Sequence, residues 1–268
     1  MSVQTLYTAA TGMQSLETKL DVIANNLANV NTTSFKKARG NFEDLFYKQI
    51  KFPGQQDAQG NFAPTGIAVG LGTRVQSTQT DFGQGAFRQT SSELDVAIEG
   101  KGFFQVLDPL TGNTVYTRAG NFSVNSNGEV VLGSASTGRV LQPSLNIPPD
   151  ATNILIGPDG TVQVKIANTD TLNNVGQIQL ANFINPEGLL KLGENLYAQT
   201  NSSNPPQVGN PGTQGLGQLR QNTLEASNVE PVQELIDLIT TQRAFELNSQ
   251  AVQAGDQVLQ LVANLRRF

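Results

Sequence analysis

The sequence predicts an α+β protein, with N- and C-terminal helices paired as a coiled-coil-like domain and a central antiparallel β-rich domain with long extended loops. At both ends of the chain, apolar residues recur at alternating intervals of three and four, the spacing of a coiled coil. Between the ends the apolar period changes to two, and turn residues separate short runs. Residues 52–72 and 199–218 are rich in Gly, Pro, Gln and Asn and follow neither period, so they predict the loops.

The N-terminal helix is predicted over residues 1–30, where an apolar heptad stripe continues for almost four repeats without proline. The flanking positions are small or weakly charged, so we expect several helices to pack around this one. Residues 29–33 indicate the end of the helix, because Asn and Thr side chains compete for its backbone hydrogen bonds. The stripe consists of Leu6, Ala9, Met13, Leu16, Leu20, Ile23, Leu27 and Val30.

The C-terminal helix is predicted to begin near Pro231, with Ser227 or Asn228 as its cap. Apolar residues recur every seven positions along it, and polar residues are predicted to complete the seam. Two interpretations follow: the helices cover one globular core, or they pack in an assembly of several chains. The apolar positions are Leu235, Ile236, Leu238, Ile239, Phe245, Val252, Leu259 and Val262, and the polar positions are Gln242, Ser249 and Asp256.

Short strands with regular turns predict an antiparallel sandwich or barrel-like central domain. Asn127-Gly128 and Pro158-Asp159-Gly160 each separate two apolar runs, which is typical of a β-hairpin. The Glu-Gly-Lys-Gly sequence at 99–102 likewise separates residues 96–98 from residues 103–107 and predicts a further hairpin.

These patterns predict three regions of the chain. Residues 1–34 and 226–268 form a terminal helical domain, and residues 76–225 form the β-rich domain. Residues 35–75 form an extended connecting segment between them.

The connecting segment opens with a small basic cluster. Lys36, Lys37 and Arg39 lie beside the carboxylates of Glu43 and Asp44. The cluster is therefore predicted to be a solvated loop and not a binding site.

The composition removes most catalytic chemistry. The 268 residues include no Cys, His or Trp, which excludes disulfides, thiolate nucleophiles, Ser–His pairs and imidazole metal ligands. The formal net charge of -5 argues against a nucleic-acid partner, and no apolar run approaches the roughly 18 residues of a membrane span. Glu93, Asp95 and Glu99 lie close together, but alternation places them on one solvated strand face. No catalytic, cofactor or metal site is predicted.

Six sequence blocks, taken in order, resemble the axial proteins of the bacterial flagellum, the rod and hook family. The blocks are residues 24–36, 95–106, 116–122, 193–197, 224–229 and 242–248. They cover both ends and the middle of the chain, which makes the resemblance specific. The signature positions are Asn25, Asn26, Asn29, Phe35, Gly100, Gly102, Phe103, Phe104, Ser227, Asn228, Gln242 and Arg243.

Within this family, the chain length and the segment 47–66 are most similar to the distal rod members. The segment resembles the insertion that stiffens the rod, and it matches best at Pro53-Gly54 and at Pro64-Thr65-Gly66. Phe42 and Phe46 resemble the Phe-x-x-x-apolar motif that rod and hook substrates present to the export gate. An alternative is that these aromatic residues only anchor the loop to the β-rich domain.

The resemblance implies a non-enzymatic structural subunit that polymerises helically into a hollow tube, transmits torque and serves as an export channel. The terminal helices and their apolar stripes would form the inner tube. The implied partners are further copies of the chain, proximal rod subunits below, hook protein above, the surrounding ring proteins and the flagellar type III export apparatus. The implied location is the basal-body rod across the periplasm, reached without a cleaved signal peptide. No cofactor, nucleic acid or membrane insertion is expected.

Three other interpretations compete with this one. The chain could be a proximal rod subunit of the same family. It could be a secreted carbohydrate-active enzyme that uses a carboxylate pair, in which case mutating Glu93, Asp95 or Glu99 would abolish wall hydrolysis. It could also be an adhesin-like β domain with helical tails, which would bind a soluble ligand as a monomer.

Overall fold

A computed structural model of the chain describes residues 3–56, 60–133, 137–167 and 171–265. Residues 57–59 of the predicted insertion lie outside the described residues, as do residues 1–2 and 266–268 of the predicted terminal domain. The side chain of Val262, predicted in the C-terminal stripe, also lies outside them.

Two long helices, α1 (Val3–Ala28) and α2 (Pro231–Leu265), stand at the two ends of the described chain, with strands between them. A short 3-10 helix lies at Pro186–Gly188. The strands are β1 (Ala38–Asp44), β2 (Tyr47–Lys51), β3 (Ile67–Gly70), β4 (Thr73–Thr80), β5 (Phe87–Gln89), β6 (Val96–Glu99), β7 (Phe103–Leu107), β8 (Thr114–Thr117), β9 (Phe122–Val124), β10 (Val130–Leu132), β11 (Arg139–Gln142), β12 (Ala151–Ile156), β13 (Thr161–Ile166), β14 (Leu172–Gln177), β15 (Leu180–Asn182), β16 (Leu190–Gly193), β17 (Leu196–Ala198), β18 (Gln207–Gly209), β19 (Gln218–Gln221) and β20 (Thr223–Glu225).

The predicted fold class is confirmed. The helices α1 and α2 pack against each other, and the region between them consists of antiparallel strands. The chain divides into two compact units. The first, here called the helical unit, contains α1, Ala38–Thr80 and α2; the second, here called the β unit, contains Asn29–Lys37 and Asp81–Val229.

In the helical unit, small and polar side chains lie in the seam between the helices. Ser15 and Ile23 of α1 are buried, as are Thr241 and Gly255 of α2. Close approach is also seen at Gly12, where an added Cβ would lie 3.4 Å from the Asn248 amide nitrogen. The absence of a side chain at Gly12 therefore lets the two helices approach closely at this point.

Two of the three predicted polar seam positions of α2 are wrong by one residue, and the third, Ser249, is half-buried. Gln242 and Asp256 are exposed, and the seam is completed by Thr241, Asn248 and Gly255. Along α2, the residues three and four positions after each of the first three apolar heptad sites are all polar or small. Sequence alone could not choose between them.

Residues 35–75, predicted as an extended connection, contain regular antiparallel structure. Strand β1 pairs with β4, and β2 pairs with β3. Both strand pairs belong to the helical unit. Most positions of β2, β3 and β4 are exposed, so their apolar residues do not alternate with polar ones as in a strand with one buried face. The second predicted loop, 199–218, also contains a strand, β18, which pairs with β15.

The β unit is built around one nine-stranded antiparallel sheet. Its main strand order is β16-β17-β8-β7-β11-β10-β9, and β15 joins β18 to β7. Phe104, Leu141 and Leu180 are fully buried in the core beneath this sheet, together with Val162 and Val164 of the neighbouring three-stranded sheet β12-β13-β14. The predicted hairpins at Asn127-Gly128 and at Pro158-Asp159-Gly160 are confirmed as β9–β10 and β12–β13.

The predicted hairpin at 99–102 is wrong. Strand β6 pairs with β19, whereas β7 pairs with β8, β11 and β15. The chain turns away between β6 and β7 because Gly100 and Gly102 adopt φ values of 112° and 137°, which L side chains rarely adopt. Gly217 packs against this turn, and an added Cβ on Gly100 would lie 3.1 Å from its Cα.

Candidate functional site

The described part of the chain contains no group of three or more His, Cys, Asp or Glu side chains that could hold a metal ion. None of its helices is long and apolar enough to cross a membrane. The Glu93 carboxylate accepts a 2.9 Å hydrogen bond from the Ile154 backbone N–H, so it stabilises the fold.

The main cluster of charged groups is a buried ion triad in the β unit. Lys36 Nζ lies 2.6 Å from Glu225 Oε1, and Arg118 Nε lies 3.0 Å from Glu225 Oε2. The side chains of Lys36 and Glu225 are fully buried, and that of Arg118 is 4% exposed. The triad therefore joins the segment that follows α1, the segment directly after β8 and the strand that precedes α2.

Backbone groups satisfy the remaining polar atoms of the triad. Lys36 Nζ donates to the Gly83 carbonyl oxygen at 2.7 Å, and the Gly85 N–H donates to Glu225 Oε1 at 2.9 Å. Arg118 donates to the carbonyl oxygens of Gly102 and Gly100 at 3.0 and 2.9 Å. The two signature glycines thus turn the chain so that their carbonyls face the Arg118 guanidinium.

The pKa shifts follow from this burial and pairing. Burial lowers the pKa of the Lys36 ammonium below its ordinary 10.5; Glu225 opposes this shift and Arg118 adds to it. Burial alone would raise the pKa of the Glu225 carboxyl. The nearby Arg118 and Lys36 cations and the Gly85 N–H outweigh burial and hold that pKa below 4.5. The carboxylate form of Glu225 is therefore the form that stabilises the folded β unit.

An aromatic cluster adjoins the triad. The Phe103 ring lies 5.9 Å from Arg118 Cζ and packs edge-on against Tyr197 and Phe183. Burial raises the pKa of Tyr197 to about 12, so its hydroxyl stays protonated. The cluster shields one side of the guanidinium from water, which strengthens the ion pair.

Further side chains fix the two segments that connect the β unit to the helices. Ser34 Oγ donates to the Arg118 carbonyl oxygen at 2.9 Å. Asn228 accepts a 2.8 Å hydrogen bond from the Lys37 N–H and donates to the Asp81 carbonyl oxygen at 2.9 Å. Both predicted caps of α2 are therefore wrong, because the helix begins only at Pro231. The Asn228 side chain holds residues 37 and 81, and Ser227 Oγ accepts a hydrogen bond from the Val229 N–H.

A second polar junction lies in the helical unit. Asn26 is 2% exposed, and its amide donates to the Ala38 carbonyl oxygen at 2.8 Å. The Ala38 N–H donates back to Asn26 Oδ1 at 2.9 Å. The Asn26 amide also lies 3.3 Å from Glu234 Oε2 on α2. One signature asparagine therefore binds the start of β1 and the first turns of α2 at once.

The other signature residues are placed as follows. Phe103 and Phe104 are buried on the two faces of β7. Phe35 is half-buried, with Lys191 Nζ 5.9 Å from its ring centre. Asn29 and Ser227 are half-buried, and Asn25, Gln242 and Arg243 are exposed. The side chains of Gln242 and Arg243 lie on the surface of α2.

The predicted inner-tube residues divide by burial. Ile23 is buried, with 5% of its surface exposed, whereas 45% of the surface of Leu235 is exposed. Val30 lies in the turn after α1 and not in the helix, which ends at Ala28. The half-buried members are Leu6, Met13, Leu16, Leu20, Leu27, Val30, Leu238, Phe245, Val252 and Leu259.

The β2–β3 hairpin carries the predicted insertion. Pro53, Gly54, Pro64 and Gly66 are all exposed. Gly66 has no room for a side chain, since an added Cβ would lie 2.6 Å from the Lys51 carbonyl oxygen.

The predicted export motif lies in β1 and just after it. Phe46 is 86% exposed and Phe42 is 38% exposed, so Phe46 is not anchored to the fold of its own chain.

The triad was not predicted from the sequence. Lys36 was expected in a solvated loop, but it is 1% exposed. One feature of the sequence marked the three residues of the triad. Lys36, Arg118 and Glu225 each fall inside a signature block, although composition and periodicity gave no reason to bring the three blocks together.

Comparison with known proteins agrees with this organisation. Residues 6–36 match the family described as flagella basal body rod protein, residues 97–164 the flagellar hook protein FlgE/F/G D1 domain, and residues 220–265 the flagellar basal body rod FlgEFG protein C-terminal region. These three regions contain Lys36, Arg118 and Glu225, respectively.

The chain belongs to the flagellar rod and hook protein family. Its full-length relatives include flagellar basal-body rod proteins FlgG. That of Caulobacter vibrioides is 45% identical over 98% of this chain and 100% of the relative. That of Borreliella burgdorferi is 42% identical over 99% of both, and that of Bacillus subtilis is 38% identical over 99% of this chain and 100% of the relative.

Proposed function

We propose that the chain is a structural subunit of the flagellar distal rod, which polymerises helically into a hollow tube that transmits torque and forms an export channel. The full-length similarity to rod proteins FlgG supports the rod as the structure that this chain builds. The family is structural, and we propose no catalytic role.

The observation that carries this proposal is the apolar surface left on the paired helices. In a single chain, α2 exposes a row of large apolar side chains that water would not stabilise, and α1 exposes Tyr7. A helix with apolar residues on more than one face is stabilised by packing against further helices. Helices of other copies of the chain would supply this packing. The exposed residues of α2 are Val232, Leu235, Ile236, Ile239, Leu247 and Leu261.

The proposed partners follow from the place of such a subunit in the flagellum. They are other copies of the chain, proximal rod subunits below, hook protein above and the surrounding ring proteins. The subunit would span the periplasm and reach it through the flagellar type III export apparatus without a cleaved signal peptide. Phe42 and Phe46 would present the export motif while the chain is unfolded.

A direct experiment replaces the rod protein of a flagellated bacterium by a labelled form of this chain. We expect the label in the distal half of the rod in purified basal bodies, seen by electron microscopy. Label confined to the proximal rod would favour the sister subunit, and absence from the basal body would refute the proposal.

The exposed β2–β3 hairpin supports a stiffening role for residues 47–66. A two-stranded ribbon is marginally stable by itself. This ribbon nonetheless exposes Ile50, Phe52, Phe62 and Ile67. We infer that neighbouring subunits cover it in the rod, so that the ribbon spans a gap between copies and resists their sliding.

Deleting residues 55–63 tests this role. The backbone bonds Gly54 N to Ala63 O and Ala63 N to Gln55 O close the tip of the hairpin, and β2 and β3 themselves would remain. We expect normal export and assembly but curved or variable rods, measured by electron microscopy of isolated basal bodies. Leu110→Ala, at an exposed turn of the β unit, is the control and should leave rods straight. Straight rods of unchanged stiffness from the deletion would contradict the inference.

A further inference from the structure

The β unit contains a cavity of about 480 Å³ beside the ion triad. Its walls include the rings of Phe82, Phe103 and Phe183 and the side chain of Ile184, which is 71% exposed at the edge. Lys101 and Arg118 also line it, and none of the described lining residues carries a carboxylate; Arg118 is already paired with Glu225, so Lys101 is the cation left for a ligand. A cavity of this kind suits an aromatic side chain that is followed or preceded by an acidic residue.

The helical unit exposes several aromatic side chains close to acidic residues. The exposed aromatic residues that the structure describes are Tyr7, Phe42, Phe46, Tyr47, Phe52 and Phe62. Phe46 is the most exposed of them, at 86%, and it follows the acidic pair Glu43-Asp44 closely. Glu43 is paired with Arg74, and the exposed Asp44 has the Tyr47 hydroxyl as a neutral hydrogen-bond partner, so Asp44 is the carboxylate that can meet a cation on another molecule.

We propose that Phe46 of one copy inserts into this cavity of a second copy, with Asp44 beside Lys101. The inference rests on the proposed self-assembly and specifies one of its contacts. Packing of Phe46 against the half-buried ring of Phe82 and the exposed side chain of Ile184 would bury a side chain that is otherwise in water. The opposite charges of Asp44 and Lys101 would orient it.

The proposed contact joins different surfaces of the two copies. Phe46 belongs to the helical unit and the cavity belongs to the β unit, so each copy would offer one of each. Such a heterologous contact repeats without limit when it does not close into a ring. It therefore provides a contact of the type that an open helical tube requires.

The absence of cysteine from the sequence allows a direct crosslinking test. Phe46→Cys is combined with Ile184→Cys in the full-length chain, the protein is assembled well above the concentration that the wild type needs, because the Phe46 ring is lost, and the polymers are oxidised. We expect covalent multimers on a non-reducing gel. The matched control combines Phe46→Cys with Leu110→Cys, which is 83% exposed on another part of the β unit, and should give few multimers.

A second measurement uses side-chain truncation and charge. Because Phe46 is exposed in the single chain, Phe46→Ala should leave monomer stability unchanged while raising the concentration needed for assembly by roughly tenfold. Asp44→Lys should weaken assembly, and adding Lys101→Asp to it should restore part of the loss. Leu110→Ala should have no effect on assembly.

The outcomes separate this inference from the proposed function. Polymers that form normally but give no Phe46–Ile184 crosslinks above the Leu110 control would overturn the inference and leave the proposed function intact. Binding of Phe46 to a different protein, with unchanged assembly of Phe46→Ala, would overturn it as well. Failure of the wild-type chain to assemble would overturn the proposed function, and the inference with it.

Discussion

Glu225→Gln should lower the free energy of unfolding of the β unit by about 3–5 kcal/mol at pH 7. The carboxylate is fully buried between Lys36 and Arg118, so the substitution leaves two buried cations without their counter-ion. The measurement is urea unfolding, with amide exchange in β7 reporting on the β unit. The control is Glu43→Gln, which removes an ion pair with the mostly exposed Arg74 and should cost less than about 1 kcal/mol.

The stability difference between wild type and Glu225→Gln should also depend on pH, and the sign of that dependence can be stated. The folded-state pKa of Glu225 lies below its ordinary 4.5, so its contribution is complete above that pH and is lost as the pH falls through the folded-state value. The difference in stability between wild type and Glu225→Gln should therefore shrink below pH 4.5. A difference under about 1 kcal/mol at pH 7, or one that grows in acid, would show that the triad does not hold the β unit together.

Leu20→Asp should abolish assembly of the chain while the β unit still folds. Leu20 lies within the apolar stripe of α1 and is half-buried in the single chain. If the remaining surface is covered by helices of other copies, the new carboxylate would be buried without a partner at a cost of about 3–5 kcal/mol. Sedimentation of assembled material measures the loss, and circular dichroism checks the strands.

Gln14→Asp is the matched control, since it adds the same charge at an exposed position of α1. It should reduce assembly far less than Leu20→Asp does. Normal assembly of Leu20→Asp, or an equal loss in both variants, would contradict the role of the stripe as a packing seam.

Local sequence signals predicted the elements that depend on local physics. The heptad spacing predicted both helices, and Asn127-Gly128 predicted the turn between β9 and β10, because both patterns act within a few residues. Strand pairing depends on distant segments. The strand β6 pairs with β19, more than a hundred residues later in the chain, and nothing between Val96 and Phe103 indicates it.

The buried ion triad and the contacts of Asn26 could not be predicted from the sequence for a related physical reason. Lys36 lies in a stretch of mixed charge that is typical of a surface loop, and its burial depends on a carboxylate and an arginine in other segments. An asparagine such as Asn26 likewise gives no local signal that its amide will bind the backbone of Ala38. Only the family blocks marked these positions, and they gave no pairing.

The central claim is that this chain assembles through its two helices into a tube. Helical reconstruction by electron cryo-microscopy of polymers grown from the purified full-length chain tests it most directly. We expect a hollow polymer in which α1 and α2 of every copy lie at the smallest radius and bury the exposed row from Val232 to Leu261 against neighbouring helices. A polymer with these helices at the outer surface, or with that row still in water, would contradict the account.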